Sequence, residues 1–285
     1  MKISFCDFWD GFLNESNFFI DLFKSIYTDV QLSTNDECDV LIYSCFGNNH
    51  KKINKNKKIK IFYTGENLRP DFNDCSFSFT FDFDSYGGKN IRVPLWLIQI
   101  DWFNKKNYSN PQYVIPLDHI QKNPYGEDKK IFCSMVVNNF FPERKQIYDI
   151  VNQYKNVKTI GKPWNNWLYG EDKKIDVIKE GKFTICFENT KYPGYFTEKP
   201  IHARVARTIP IYYADRRYEE DFNKKAFLFM SDFSNQKDLL DTIKKIDNSN
   251  DLFLEYINQP IFNTPTYHID MFEDIKNKIK NMFTF

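Results

Sequence analysis

Apolar residues recur along the chain in two rhythms. Short apolar runs at Ile3–Phe8, Asp39–Phe46 and Ile59–Thr64, with an alternating stretch at Phe77–Phe83, predict strands. Phe19, Leu22, Phe23 and Ile26 recur at helical spacing, with Ser16 or Asn17 placed to cap. This β-α-β order predicts a sheet with helices on its faces. The pattern lapses into Pro, Asn, Gly and charge between Pro116 and Lys129, then restarts. Strands are predicted at Ile131–Val137, Val157–Ile160, Phe183–Phe187, Ile209–Tyr213 and Phe227–Met230. Helices are predicted where Pro142 precedes Ile147, Ile150, Val151 and Tyr154, over Glu198–Arg207, and where Leu239, Leu240, Ile243 and Ile246 share a face. Phe272, Ile275, Ile279 and Met282 mark a C-terminal helix. The pattern therefore predicts an α/β chain of two halves, residues 1–122 and 123–264, followed by a helix within 265–285. Ligands of such sheets bind outside the carboxyl ends of the strands.

One of those ends carries the densest chemistry. After the apolar run Phe183–Phe187 come Glu188-Asn189-Thr190-Lys191-Tyr192-Pro193-Gly194-Tyr195-Phe196-Thr197-Glu198-Lys199. Thr197 is a natural cap, which puts Glu198 and Lys199 in the first helical turn and Pro200 at the third helical position. A helix N-terminus offers unpaired N–H groups and a positive dipole end, which suit a phosphate, and Lys199 adds a full charge. Arg144, in the first turn of the helix that Pro142 opens, can grip phosphate oxygens bidentately, although an exposed helix arginine is also common.

Composition narrows the classes. The chain has 285 residues, 42% hydrophobic and 18% aromatic, enough for sizeable cores without disulfides. Its 39 basic and 38 acidic residues leave a formal charge of +1, which argues against a dedicated nucleic-acid binder. The basic run Lys51–Lys60 reads as a solvated loop. The six cysteines form no C-x-x-C pair and several lie in apolar runs, so reduced buried thiols are expected. The four histidines, His50, His119, His202 and His268, show no zinc spacing, and no Walker or G-x-S-x-G motif occurs. Asp7, Asp10 and Glu15 interrupt any signal-peptide core, and no run approaches a membrane span. The expected location is cytoplasmic. The lysines at Lys276–Lys280 could also reach an inner-membrane surface, a solvated helix face being the plainer reading.

The block F-E-N-x-x-x-x-G-Y-x-T-E-K at Phe187–Lys199, followed by Thr208-Ile209-Pro210-Ile211-Tyr212-Tyr213, resembles the donor-binding segment of the bacterial-type α1,3/1,4-fucosyltransferases. Ile61-Phe62-Tyr63-Thr64-Gly65-Glu66-Asn67 resembles that family's N-terminal catalytic segment, and the strand before Arg144 resembles its pyrophosphate-arginine region. The resemblance implies two Rossmann-like domains facing a cleft, the GT-B architecture, with a C-terminal helix. It implies an inverting transfer of L-fucose from GDP-β-L-fucose to the GlcNAc or Glc of a galactose-containing oligosaccharide or glycolipid, giving Lewis-type α1,3 or α1,4 products. By resemblance Glu66 is the catalytic base, although the residues alone allow a solvated turn glutamate. Arg144 and Lys199 bind the diphosphate, and Asn189, Tyr195 and Glu198 contact the donor. Glu188 binds a hydroxyl or holds the loop. Gly161, Asn165 and Asn166 match a smaller family piece that a capped turn would also explain. Trp96, Trp102 and Tyr86 are candidates to stack on acceptor sugars, or core residues. No cofactor and no essential metal are implied. The heptad repeats and basic tail of many bacterial members do not appear before Phe285.

Asp82-Phe83-Asp84 has the D-x-D form that elsewhere holds a metal–nucleotide complex. On an alternating strand both carboxylates would share the solvent face, and the pair lies in the half without the phosphate motif. Two rivals remain open at this level: a transferase of the same architecture using another GDP-deoxysugar, and a non-catalytic glycan-binding protein on a transferase fold.

Overall fold

The computed structural model describes residues 1–54, 58–106, 108, 114–122, 126, 128–166 and 171–283. The boundary expected after residue 122 falls against residues 123–125, outside those described. The chain divides into two compact units. The first gathers Met1–Val114, Tyr192–Thr197 and His268–Phe285, and the second gathers Ile115–Lys191 and Glu198–Tyr267.

The first unit is built on a six-stranded parallel sheet: β1 Lys2–Cys6, β2 Gln31–Leu32, β3 Val40–Tyr43, β4 Ile59–Tyr63, β5 Phe77–Thr80 and β6 Asn90–Arg92, in the order β2-β1-β3-β4-β5-β6. Val40-Leu41-Ile42-Tyr43 is buried throughout, as a central parallel strand covered on both faces must be. β1 stops at Cys6, two residues before the expected Phe8, because Asp7 takes a left-handed φ of 58°. The helix Phe18–Ile26 is capped by Asn17, whose Oδ1 accepts from Ile20 N at 2.9 Å. It buries Phe18, Phe19, Leu22 and Phe23, each contributing roughly 1.5–3 kcal/mol. The C-terminal helix Tyr267–Met282 closes on this unit: Phe272 stacks on Trp102 at 4.1 Å, and Tyr27 Oη donates to Ile279 O. Lys60, at the end of the basic run, is buried and donates to His50 O and Ile53 O.

The second unit has a five-stranded parallel sheet: β7 Ile131–Val136, β8 Val157–Ile160, β9 Gly181–Phe187, β10 Ile209–Tyr213 and β11 Leu228–Phe229, ordered β8-β7-β9-β10-β11. Its core joins Met135, Ile147, Val151, Phe183, Ile211, Leu239 and Ile243. The strand order reverses direction at β7/β9, whose register pairs Phe183 with Cys133. The expected helices at Pro142–Tyr154 and Gln236–Asp247 are present, and Glu171–Ile178 and Asn250–Ile257 are additional. All six cysteines are free; Cys6 and Cys45 are only half-buried, the other four buried.

One expectation needs correction. Thr197 does not cap the next helix: Glu198 occupies the cap position with helical backbone angles and no side-chain cap bond, so the helix runs Lys199–Val205, with Pro200 at its second position. Of the aromatic candidates, Trp96 takes the core reading that the sequence also allowed. Trp96 is wholly buried, and Trp102 is stacked on Phe272 with its Nε1 donating to Leu97 O. Tyr86 is engaged through its hydroxyl with Asp82 at 2.8 Å.

Candidate active site

The reversal point between β7 and β9 is where an open α/β sheet offers a crevice beyond its carboxyl ends. Arg144 projects there from the third position of the helix Pro142–Tyr154. It is 3% exposed and donates to Phe187 O and Asn189 Oδ1, both at 2.8 Å, and to Asn139 O. One guanidinium thus ties the ends of both strands at the crevice. Asn189 is itself exposed just beyond β9.

Next to it lies a charged cluster built from the following helix. Glu188 is turned inward; its carboxylate accepts from Tyr212 Oη at 2.9 Å and from Lys199 Nζ at 3.2 Å. This arrangement makes Glu188 a brace for Lys199, the loop-holding reading of that residue. Glu198 pairs with Lys174 at 2.8 Å. Burial works against its charge, but Lys174 and Lys199 more than offset this and hold the carboxyl well below the usual range. Lys174, on the helix Glu171–Ile178, had no signal in the sequence beyond being one lysine among several charges. Gly161 and Asn166 form the capped turn: Asn166 Oδ1 accepts from Gly161 N and its Nδ2 donates to Thr159 O.

His202 completes the cluster. It is fully buried, neither ring nitrogen has a partner among the described residues, and burial followed by the Lys174 charge lowers its pKa to about 3. A folded pKa below the unfolded value of about 6.5 gives stability that is present above pH 6.5 and lost as pH falls toward 3, at up to about 1.4 kcal/mol per pH unit. The variant His202→Leu is expected to flatten the fall in melting temperature between pH 6.5 and 4.5. An unchanged slope would assign the acid sensitivity to other groups.

In the first unit, Glu66 lies just past β4. Thr64 Oγ1 accepts from Glu66 N at 2.9 Å and donates to Glu66 O, and Leu68 N donates to Glu66 O at 2.7 Å. The backbone of this turn is fixed while the Glu66 side chain is exposed at the carboxyl end of the sheet. Beside it is an aromatic group that sequence reasoning missed. Trp9 meets Phe12, Phe46 and Tyr63 edge-on at 5.4–6.3 Å, and Phe46 is 52% exposed. Trp9 Nε1 and Tyr63 Oη have no hydrogen-bond partner among the described residues. Burial, with Cys45 and Glu66 adding, pushes the Tyr63 hydroxyl far up.

The segment Tyr192–Thr197 belongs to this unit, although the rest of its motif does not. Gly194 has φ 86°, and a Cβ there would meet Phe81 O at 2.5 Å, so only glycine allows this approach. Tyr195 is buried with its ring edge-on to Phe81 at 5.0 Å. Asp82 of the D-x-D sequence is 4% exposed and paired with Arg69 at 3.2 Å as well as Tyr86, while Asp84 accepts from Tyr86 N. Among the described residues no three His, Cys, Asp or Glu side chains are grouped to hold a metal.

The structure therefore brings Arg144 together with Asn189, and Glu188, Glu198 and Lys199 together with Lys174, in one unit, and sets Glu66 and Tyr195 in the other. Two α/β units, each built on a parallel sheet, the second with cationic side chains at its strand-reversal point, are the components of the GT-B class of fold.

Residues 3–99 match the model of the α-(1,3)-fucosyltransferase FucT N-terminal domain, and residues 126–275 match that of the glycosyltransferase family 10 (fucosyltransferase) C-terminal region. The chain belongs to glycosyltransferase family 10. It is 27% identical to the α-(1,3)-fucosyltransferase FucT of Helicobacter pylori, over 93% of this chain and 61% of that one. It is 33% identical to the putative fucosyltransferase R654 of Acanthamoeba polyphaga mimivirus, over 53% of this chain and 27% of that one. The chain thus spans less than two thirds of these relatives. A crystal structure of an α1,3-fucosyltransferase matches with a TM-score of 0.77 at 25% identity, covering 99% of this chain and 89% of that one. A structure of an α1,3-fucosyltransferase with GDP-fucose matches with a TM-score of 0.74 at 25% identity, covering 100% and 90%.

Proposed function

We propose that this chain is an inverting α1,3-fucosyltransferase that takes GDP-β-L-fucose as donor and the GlcNAc or Glc of a galactose-containing glycan as acceptor. The observation that carries the reading is the crevice of the second unit, where Arg144 bonds to the exposed Asn189 and Lys199 pairs with Glu188, the residue before Asn189. The likeness to a structure described with GDP-fucose supports the donor.

In the proposed reaction an acceptor hydroxyl oxygen forms a bond to the anomeric carbon of fucose while the bond from that carbon to the diphosphate oxygen breaks. Glu66 takes the hydroxyl proton. The electron pair leaves with GDP, and the configuration inverts from β to α. A carboxylate opposite the leaving group is the arrangement that inverting glycosidases use to activate their nucleophile. Arg144 and Lys199 meet the growing charge on the diphosphate, where fixed cations in a partly desolvated site are most effective. Asn189, Tyr195 and Glu198 take the donor's ribose and sugar hydroxyls. The exposed ring of Phe46, with Trp9 edge-on to it, suits an acceptor, because a sugar's C–H face packs on an aromatic ring. With lysine and arginine supplying the positive charge, we propose transfer without a metal.

The test is mass spectrometry of N-acetyllactosamine and lacto-N-biose after incubation with GDP-fucose and the protein in EDTA. A fucose mass gain on either acceptor is expected. No gain, with no GDP release and no rescue by Mn²⁺, would overturn the reading in favour of another donor or a glycan-binding role.

A further inference from the structure

Three residues beyond Glu66, the turn after β4 carries Arg69, a residue no motif singled out. Its side chain is 29% exposed and every part of the guanidinium is engaged. Nη1 donates to Leu68 O at 3.0 Å and Nη2 to Asn67 Oδ1 at 3.1 Å, so the arginine folds back on the turn that presents Glu66. Nε faces Asp82 Oδ2 at 3.2 Å, and that oxygen also accepts from Tyr86 Oη, which fixes the carboxylate in place. The plane of the guanidinium lies over the ring of Tyr192, with Cζ 3.4 Å from its centroid, and 4.9 Å from that of Phe81. Phe81 is in turn the ring against which Tyr195 packs and whose carbonyl Gly194 approaches. Tyr192 N-terminally begins the segment, and Tyr195 N donates back to Tyr192 O at 3.0 Å, so Tyr192 and Tyr195 are two ends of one turn.

We infer that Arg69 is a positioning residue: by stacking on Tyr192 while anchored by Asp82 and the Asn67–Leu68 backbone turn, it holds the Tyr195 turn in register with the turn bearing Glu66. The inference rests on the reading of Tyr195 as a donor contact. It also accounts for the D-x-D sequence, whose first aspartate anchors an arginine here. Arginine is required rather than lysine because only a planar guanidinium can lie flat on a ring while its edge pairs with a carboxylate and a carbonyl. A catalytic constellation tolerates little displacement, so loosening this stack is expected to act on donor binding without touching any reacting atom.

The experiment compares Arg69→Ala, Arg69→Lys, Tyr192→Leu and Tyr192→Phe with the parent protein. GDP affinity is measured by calorimetry, KM for GDP-fucose and kcat by GDP release, and folding by melting temperature. Arg69→Ala and Tyr192→Leu are each expected to weaken GDP and raise the donor KM about tenfold, the size of a partly desolvated cation–π contact. The double variant should lose no more than either single one, and Tyr192→Phe, which keeps the ring face, should restore affinity. Arg69→Lys should fall between. A lowered melting temperature with unchanged GDP affinity and donor KM in both Arg69→Ala and Tyr192→Leu would overturn the inference and leave Arg69 a purely structural residue. If Arg69→Ala fails to fold, Tyr192→Leu alone decides. Absence of GDP binding by the parent protein would instead overturn the proposed function, and the inference with it.

Discussion

Glu66→Ala is expected to lower kcat by about 10²–10⁴-fold, the usual contribution of a positioned general base, while GDP affinity stays at the parent level. The separation follows from placement. The Glu66 side chain is exposed beyond β4, and the turn that presents it is held by Thr64 Oγ1 and by Leu68 N, bonds that use the Glu66 backbone and survive truncation of the carboxylate. Arg144 and Lys199, the proposed phosphate ligands, belong to the other unit. Glu66→Gln should behave like Glu66→Ala, since the amide keeps the shape but cannot take the proton. Single-turnover kinetics with saturating donor gives the rate, and calorimetry gives the affinity. A kcat within a few-fold of the parent would remove Glu66 from the mechanism and point to another base.

Lys199→Met is expected to cost both function and stability, for different reasons that a second substitution separates. Losing one preorganised donor to the departing diphosphate should reduce kcat by about 10²–10³-fold and weaken GDP. Losing the cation also leaves the buried Glu188 carboxylate with Tyr212 but without Lys199, and breaking such a pair from one side costs about 3 kcal/mol. Adding Glu188→Gln removes that charge. The double variant should therefore recover most of the melting temperature yet none of the GDP affinity. Recovery of both would mean that Lys199 serves only the fold; recovery of neither would mean that the Glu188 brace contributes independently to the donor site.

Much of this architecture was legible because strands in parallel sheets are continuous apolar runs bounded by polar turns. Ile59–Tyr63, Val157–Ile160 and Ile209–Tyr213 were read nearly to the residue. The two-residue strand Gln31–Leu32 is too short to carry a period, and Asn90–Arg92 lacks an apolar run. The cap at Thr197 failed because tertiary packing overrode local preference: Phe196 and Thr197 are buried with the first unit, and the helix begins only after the chain leaves it. Glu66, Arg144 and Lys199 stood out as candidates because each follows a strand or opens a helix within a segment that resembles the family's motifs. Lys174, Arg69 and Trp9 did not, because each is recruited by a neighbour distant in sequence, and single-sequence periodicity holds no record of that pairing. For Trp96 and Trp102 the sequence left core and platform open, since a tryptophan's size makes the two indistinguishable until its neighbours are known.

The thirteen-residue block that resembles a donor-binding segment is contiguous in sequence but not in structural allegiance. Its ends, through Lys191 and from Glu198, belong to one unit, and its middle, Tyr192–Thr197, to the other. Evolution or engineering by exchange of halves must respect that interleaving. A chimera joined once, near residue 115, would set a foreign Phe81 and Arg69 against this chain's Gly194 and Tyr192, and a foreign N-terminal sheet against this chain's C-terminal helix. The N-terminal unit of this chain is therefore not a detachable cassette. Transplanting it requires three pieces to travel together: the N-terminal segment, the six residues of the loop, and the final helix.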